Sequence, residues 1–533
     1  MLWLSIPEPG GCTRMTTTDH RTSPAPAVSA PGTRRPLHDR GLFRLADAVL
    51  QPGFVGTTPP EWLRRRLNDG LGGVVLFSRN IVEPVQLAAL TAALVAENPD
   101  VVIAVDEESG DVTRLDVATG SRRPGNHALG AVDDPALTES VAADIGAQLA
   151  AAGITMNYAP TADVNNNPNN PVIGVRSFGA DPALVARHTA AWVRGLQSTG
   201  VAACAKHFPG HGDTGVDSHH GLPVIEVDAA RLGLVELPPF RAAIEAGVRS
   251  IMTAHLLVPA LDQHRPATMS PAVLVELLRE QLGFTGLIVT DGIEMASVSE
   301  RYGLGGAAVL AIAGGADAIC VGGERSDEAT VELLRNAIVD AVVSGDLPEA
   351  RLVEAAERVA AFAADSAALR AARAAAAQQW DAANRPAVGL DAARRALRVT
   401  GAQRLPLPGP AHVVEFATAT NLAIEASTPW GVGEPLRALR PDTTVVRLGE
   451  DSTVAQVLSG LNGGTPVLVC RDPHRFPWLT DLLHGVVAAR PDTVVVEMGV
   501  PAGEPVGGTH VATYGAAAVC GQAAAELLAG DGR

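Results

Sequence analysis

The chain has 533 residues, 47% of them hydrophobic, and a formal net charge of −17. That length holds two domains, or one large barrel with an appendage. The acidic balance supplies no basic stripe to neutralise phosphates, which argues against nucleic acid as a partner. No uncharged apolar run of about 18 residues is present to make a convincing membrane span.

Residues 1–40 are rich in Pro, Ser, Thr and Arg without periodicity and are expected to be disordered. Within them the apolar patch of residues 1–12 is too short for a signal peptide and has no basic start, and Met15 reads as an alternative start. Cys12, Cys204, Cys320, Cys470 and Cys520 are dispersed, with no Cys-x-x-Cys spacing. That usage fits a reducing compartment, and a cytoplasmic location is expected.

From residue 41 to 365 short apolar runs alternate with amphipathic stretches. The runs are 48–55, 73–77, 101–105, 155–159, 201–205, 250–253, 287–290 and 316–321. Helix-like segments lie between them at 84–97, 135–152, 182–198, 229–246, 270–281 and 328–343, several opened by Pro and closed by Gly. Eight strands each followed by a helix is the count of a (β/α)8 TIM-type barrel. A doubly wound open sheet is the rival, because strand order is not written in the pattern. Residues 366–400, rich in Ala and Arg, read as a helical linker. In 401–533, runs at 413–416, 444–448, 466–470 and 493–498 predict a smaller C-terminal α/β layer domain. This second domain shows no catalytic cluster; Arg471, His484 and Glu497 read as structural.

Lysine occurs once, at Lys206, in Lys206-His207-Phe208-Pro209-Gly210-His211-Gly212, a stretch that continues to Asp217-Ser218-His219-His220. A compact ammonium on a thin stem enters a tight pocket that a planar guanidinium cannot. In a barrel, reacting groups gather where strands end, and the polar residues fall there. Run three ends in Asp106-Glu107-Glu108 with Arg114 beyond. Run four leads to Asp163 and a loop closing at Arg176, run six ends at His255, and run seven at Thr290-Asp291.

His207 and His211 have the spacing of two zinc ligands on one helical turn, but Pro209, Gly210 and Gly212 disfavour a helix there, and neither metal nor cofactor is expected. An acid/base reading suits better. In an extended loop Asp217 and His219 point to the same side, so the carboxylate can stabilise the imidazolium while the other ring nitrogen faces a substrate. Asp291, fixed by the strand before it, suits a nucleophile or a stabiliser of developing positive charge, with Glu294 the fallback. Asp106, Arg114, Arg176, Lys206 and His207 supply donors and acceptors suited to a polyhydroxylated ligand.

On these motifs, with Val172 to Gly179 and Val289-Thr290-Asp291-Gly292-Ile293-Glu294-Met295, the region resembles the bacterial β-N-acetylglucosaminidases of glycoside hydrolase family 3. The resemblance implies a retaining exo-acting enzyme, and for the C-terminal region the α/β sandwich domain that some members carry. Asp291 is then the nucleophile, the Asp217–His219 dyad the acid/base, and Asp106, Arg114, Arg176, Lys206 and His207 the holders of the −1 sugar. It also implies a carbohydrate substrate with terminal N-acetylglucosamine, derived from cell wall or related glycosides. The family's Asp-Gln-Glu-Gly-Gly-x-Val-x-Arg is here Asp106-Glu107-Glu108-Ser109-Gly110-Asp111-Val112-Thr113-Arg114. Glu107 and Ser109 thus alter charge and backbone freedom beside the subsite. Two other functions fit the same residues: a phosphorylase using phosphate as acceptor, and a sugar-binding protein without catalysis.

Overall fold

The computed structural model describes residues 39–215, 221–323, 325–377, 388–401, 405–418, 423–461 and 463–531. The expected disorder of the first forty residues lies almost wholly outside this range. Eight short strands occupy the first part of the chain: β1 (Leu50–Pro52), β2 (Gly73–Leu76), β3 (Val102–Val105), β4 (Met156–Asn157), β5 (Ala202–Phe208), β6 (Ser250–Thr253), β7 (Leu287–Thr290) and β8 (Ile319–Val321). Strands β2 to β7 form one six-stranded parallel sheet in chain order, and β1 pairs in parallel with β8. A bridge between Val289 and Ala318 ties β7 to the start of β8. The order never reverses, which sets aside the doubly wound arrangement; the six strands make a parallel half-barrel.

Alternation along each strand explains the layers. Val74, Leu76, Ile103 and Val105 join the outer apolar layer with the helices. Val75, Val102, Ala104, Met156, Tyr158, Met252, Val289 and Cys320 gather on the other face of the strands as a smaller inner core. Several crossover helices begin at an aspartate side chain that takes backbone N–H groups of the first turn, as Asp134, Asp181 and Asp327 do. The segment expected as one helix over 229–246 is two, Ala229–Val235 and Leu237–Glu245. Pro238 and Pro239 have no N–H to continue the first helix and instead open the second.

The helix Glu349–Ala377 runs across residue 365, where the sequence suggested a barrel boundary. Beyond it, β9 (Arg398–Gly401), β10 (Ala411–Phe416), β11 (Thr444–Leu448), β12 (Thr465–Cys470), β13 (Val494–Glu497) and β14 (Thr509–Ala512) form a second sheet. Its order is β11-β10-β12-β13-β14-β9, parallel except for β9 against β14. Val413, Val467 and Val496 pack on one side with Cys520 and Ala524 of the helix Ala518–Ala529. Val414, Leu468 and Val495 pack on the other with Leu479 and Leu483 of the helix Pro477–Ala489.

Among the described residues no helix is long and apolar enough to cross a membrane. Cys204, Cys320, Cys470 and Cys520 are buried free thiols.

Candidate active site

A cavity of about 560 Å³ opens at the C-terminal ends of the half-barrel strands. Its floor carries Val75, Tyr158, Met252 and Cys320, all from the inner core. Asp106, Arg114, Arg176, Lys206, His207 and Asp291 all line it. These six were read from sequence as one site, and the fold brings them to one space. Asp217 and His219 lie outside the described residues.

Lys206 sits inside β5, not at its end, and is 2% exposed. Its ammonium contacts Asp106 Oδ1 at 2.5 Å and Glu108 Oε1 at 2.6 Å. Arg176 meets the same Glu108 with both arms of its fork, Nε to Oε2 at 2.9 Å and Nη2 to Oε1 at 2.7 Å. Burial by itself works against charge on all three groups. For Lys206 the pull of Asp106 and Glu108 outweighs burial and its pKa is raised. For Glu108 the attraction of Arg176 and Lys206 outweighs burial and holds its carboxyl well below the usual carboxylate range. Glu108 is therefore the ionised centre of a buried network; in the sequence it was visible only as a neighbour of Asp106.

His207 presents Nδ1 to Asp163 Oδ2 at 2.8 Å and Nε2 to the Arg176 guanidinium at 3.4 Å. A carboxylate oxygen only accepts and a guanidinium only donates, so the proton belongs on Nδ1 and Nε2 accepts. Asp163 also takes the backbone N–H groups of His207 and His211 at 3.1 and 2.7 Å. The loop after β5 is thus organised around a single fully buried carboxylate. His211 is buried too, which pushes its imidazole down to about 4 against the attraction of Asp163. The stretch 207–211 is strand followed by turn, so the two imidazoles are not one helical turn apart. Gly212 packs where any side chain would run into the Val164 carbonyl. Asn170 stitches the neighbouring loops, giving its amide to the carbonyls of His211 and Gly212 and taking the N–H groups of Val172 and Ile173.

Asp291 follows β7 directly. Its N–H donates to the Thr253 carbonyl at 3.2 Å, and its Oδ1 takes the Gly292 N–H at 2.8 Å. His255 supports the same turn from behind, Nε2 donating to the Gly292 carbonyl at 3.0 Å. Glu294 accepts the N–H groups of Gly322 and Gly323, after β8, at Oε1. Burial raises its pKa.

The departing positions of the third strand's loop have defined tasks. Glu107 Oε2 takes the N–H groups of Arg114 and Leu115 and the Thr113 hydroxyl. Ser109 adopts a left-handed φ of 69° and donates its hydroxyl to the Pro124 carbonyl at 3.0 Å. Arg114 reaches Asp106 at 3.5 Å and also donates to the carbonyl of Ala423 at 2.9 Å. Ala423 and Glu425, from the loop after β10, line the cavity as well. Sequence reading found nothing of this, for no local pattern marks those residues.

A model of the glycosyl hydrolase family 3 N-terminal domain matches residues 57–362. The chain belongs to this family. By that membership it is a glycoside hydrolase, and the resemblance read from the motifs holds. The family 3 chain is 39% identical over 267 residues to the beta-hexosaminidase A of Pseudoalteromonas piscicida, covering 46% of this chain and 45% of that one. It therefore spans under half the length of that relative. It is 37% identical over 280 residues to the beta-hexosaminidase of Thiobacillus denitrificans, covering 51% of this chain and 77% of that one. The structure of a family 3 beta-N-acetylglucosaminidase from Paenibacillus superposes with a TM-score of 0.81 at 32% identity, over 92% of this chain and 97% of that one.

Proposed function

We propose that this family 3 chain is a retaining, exo-acting β-N-acetylglucosaminidase. In this reading the eight strands close as a (β/α)8 barrel, with 401–533 a sandwich domain beside its mouth. The observation that carries it is the meeting of Asp291 with the Asp106–Lys206–Glu108–Arg176 network on one 560 Å³ cavity. The names of the matched hexosaminidases support the choice of an N-acetylated sugar.

The glycone rests on the apolar floor with its hydroxyls at Asp106, Arg114, Arg176, Lys206 and His207. Lys206 gives two N–H donors to carboxylates and offers the third to a hydroxyl. His219, its imidazolium stabilised by Asp217, protonates the glycosidic oxygen while Asp291 attacks the anomeric carbon. The C–O bond to the aglycone breaks, the alcohol leaves, and a glycosyl ester of Asp291 remains. Water, deprotonated by the now neutral His219, then displaces the carboxylate and releases N-acetylglucosamine. The substrates are cell-wall-derived or related glycosides handled in the cytoplasm.

Proton NMR of an aryl N-acetyl-β-glucosaminide during turnover tests the route. The β-anomer of free N-acetylglucosamine is expected first; initial release of the α-anomer, or no turnover, defeats the proposal.

A further inference from the structure

We infer that Glu425 is a specificity-determining residue of this site, one that favours uncharged aglycones over those bearing a carboxylate. The inference rests on the glycosidase reading above and concerns the side of the cavity that the barrel does not supply.

Exposure orders the cavity from floor to mouth. Lys206, Arg176 and Tyr158 are buried, Asp106, Asp291 and Glu425 are half-buried, and Glu300 and Arg325 are exposed. A glycone on the floor against Asp291 leaves its aglycone pointing outward, past Glu425. That residue is held in place from two directions. The Ser78 hydroxyl donates to Glu425 Oε1. Two residues earlier, the Ala423 carbonyl takes the Arg114 guanidinium at 2.9 Å.

The nearby Arg79 attracts Glu294 and Glu425 through space but places its hydrogen bonds elsewhere. It donates Nε to the Phe54 carbonyl and Nη2 to the Gly322 carbonyl and the Ser326 hydroxyl, and it stacks on Phe77. Glu425 therefore presents a fixed carboxylate to the path of the leaving group, with Glu300 and Arg325 both exposed to solvent beyond it. A carboxylate on the aglycone meets like charge in a partly desolvated passage, where repulsion exceeds its value in water. An uncharged sugar or aryl group meets none. A phosphate ion entering as acceptor is repelled by the same group, which favours water.

The test compares the full chain with its Glu425→Gln and Glu425→Asp variants on phenyl and 4-carboxyphenyl N-acetyl-β-glucosaminides. Ser78 can still donate to the glutamine carbonyl oxygen, so the wall keeps its anchor. The ratio of kcat/KM, carboxylated over neutral, is expected to rise roughly three- to ten-fold in Glu425→Gln. Glu425→Asp should keep the parental ratio. In the unaltered enzyme, added salt should raise the same ratio by screening the repulsion. An unchanged ratio in Glu425→Gln, or the same change in Glu425→Asp, overturns the role of Glu425 alone. Loss of the salt effect does so too, without any variant. Failure of the unaltered chain to cleave either glycoside overturns the glycosidase reading and this inference together.

Discussion

Glu107 accepts the backbone N–H of Arg114 at 2.7 Å, and the same oxygen takes Leu115 N–H at 2.9 Å and the Thr113 hydroxyl at 3.0 Å. One buried carboxylate thus shapes the loop that brings Arg114 to the cavity. Removing it strands buried donors, each costing about 1–3 kcal/mol. Glu107→Ala is expected to lose roughly 2–4 kcal/mol in urea denaturation and to raise KM as Arg114 drifts. Glu107→Gln, the residue usual in the family, should lose less, because its carbonyl oxygen can take the same donors. Equal losses in both would show that acceptance of these N–H groups is not what the residue supplies.

Lys206 separates a requirement for charge from one for shape. Lys206→Met leaves Asp106 and Glu108 without the cation between them, and breaking a buried pair in this way costs about 3–5 kcal/mol. Lys206→Arg keeps the charge but forces a wider group into a site 2% exposed, an overpacking worth about 1–3 kcal/mol. Melting of the two variants side by side should rank them in that order. A reversed order would mean that the ammonium's slender shape matters more than its charge.

Asp291→Ala should lower kcat on an aryl N-acetylglucosaminide by at least about a thousandfold, while N-acetylglucosamine binding stays measurable by calorimetry. Turnover near the parental rate would remove the residue from the nucleophile's role.

Glu236 gives stability a pH dependence. Burial, with Asp163 and Asp213 adding repulsion, raises its carboxyl from 4.5 to about 8; Asn166 and Arg231 oppose this only weakly. Among the described residues its Oε2 has no hydrogen-bond partner. Between pH 4.5 and 8 the folded chain holds a proton that the unfolded chain has released, so this residue's contribution falls as pH rises through that window and is flat above it. Glu236→Gln removes the slope. Relative to the parent, it should melt higher at pH 8.5 than at pH 5, and an equal difference at both pH values would show that the group does not titrate there.

How much was legible in the sequence depends on where the signal is stored. The strands at 250–253 and 287–290 match their apolar runs because each is fully buried and sharply bounded. Strand β5 continues three residues past its apolar run, since Lys206 bridges to Thr161 and Phe208 pairs with Thr253. Strand β9 was missed because Arg398–Gly401 is largely exposed and pairs only at an edge. Strand β14 reads Thr-His-Val-Ala, too polar to announce burial on both faces. Lys206, Asp106 and Asp291 stood out because chemistry coincides there with the ends of apolar runs. Glu108 and Asp163 did not, for their importance lies in what they hold. Glu425 carries no local mark, because its place at the cavity is set by tertiary contact alone.

The ties between Asp111 and the distant end of the chain bear on any attempt at trimming. Its buried carboxylate takes the Ala516 N–H at 2.7 Å and faces Arg471 at 3.8 Å, while Arg114 donates to Ala423, 309 residues later. A gene shortened to the family-matched residues 57–362 would strip a donor, an acceptor and a cation from beside the loop that carries Asp111 and Arg114. Minimal catalysts of this scaffold, if cut from this parent, need those partners rebuilt.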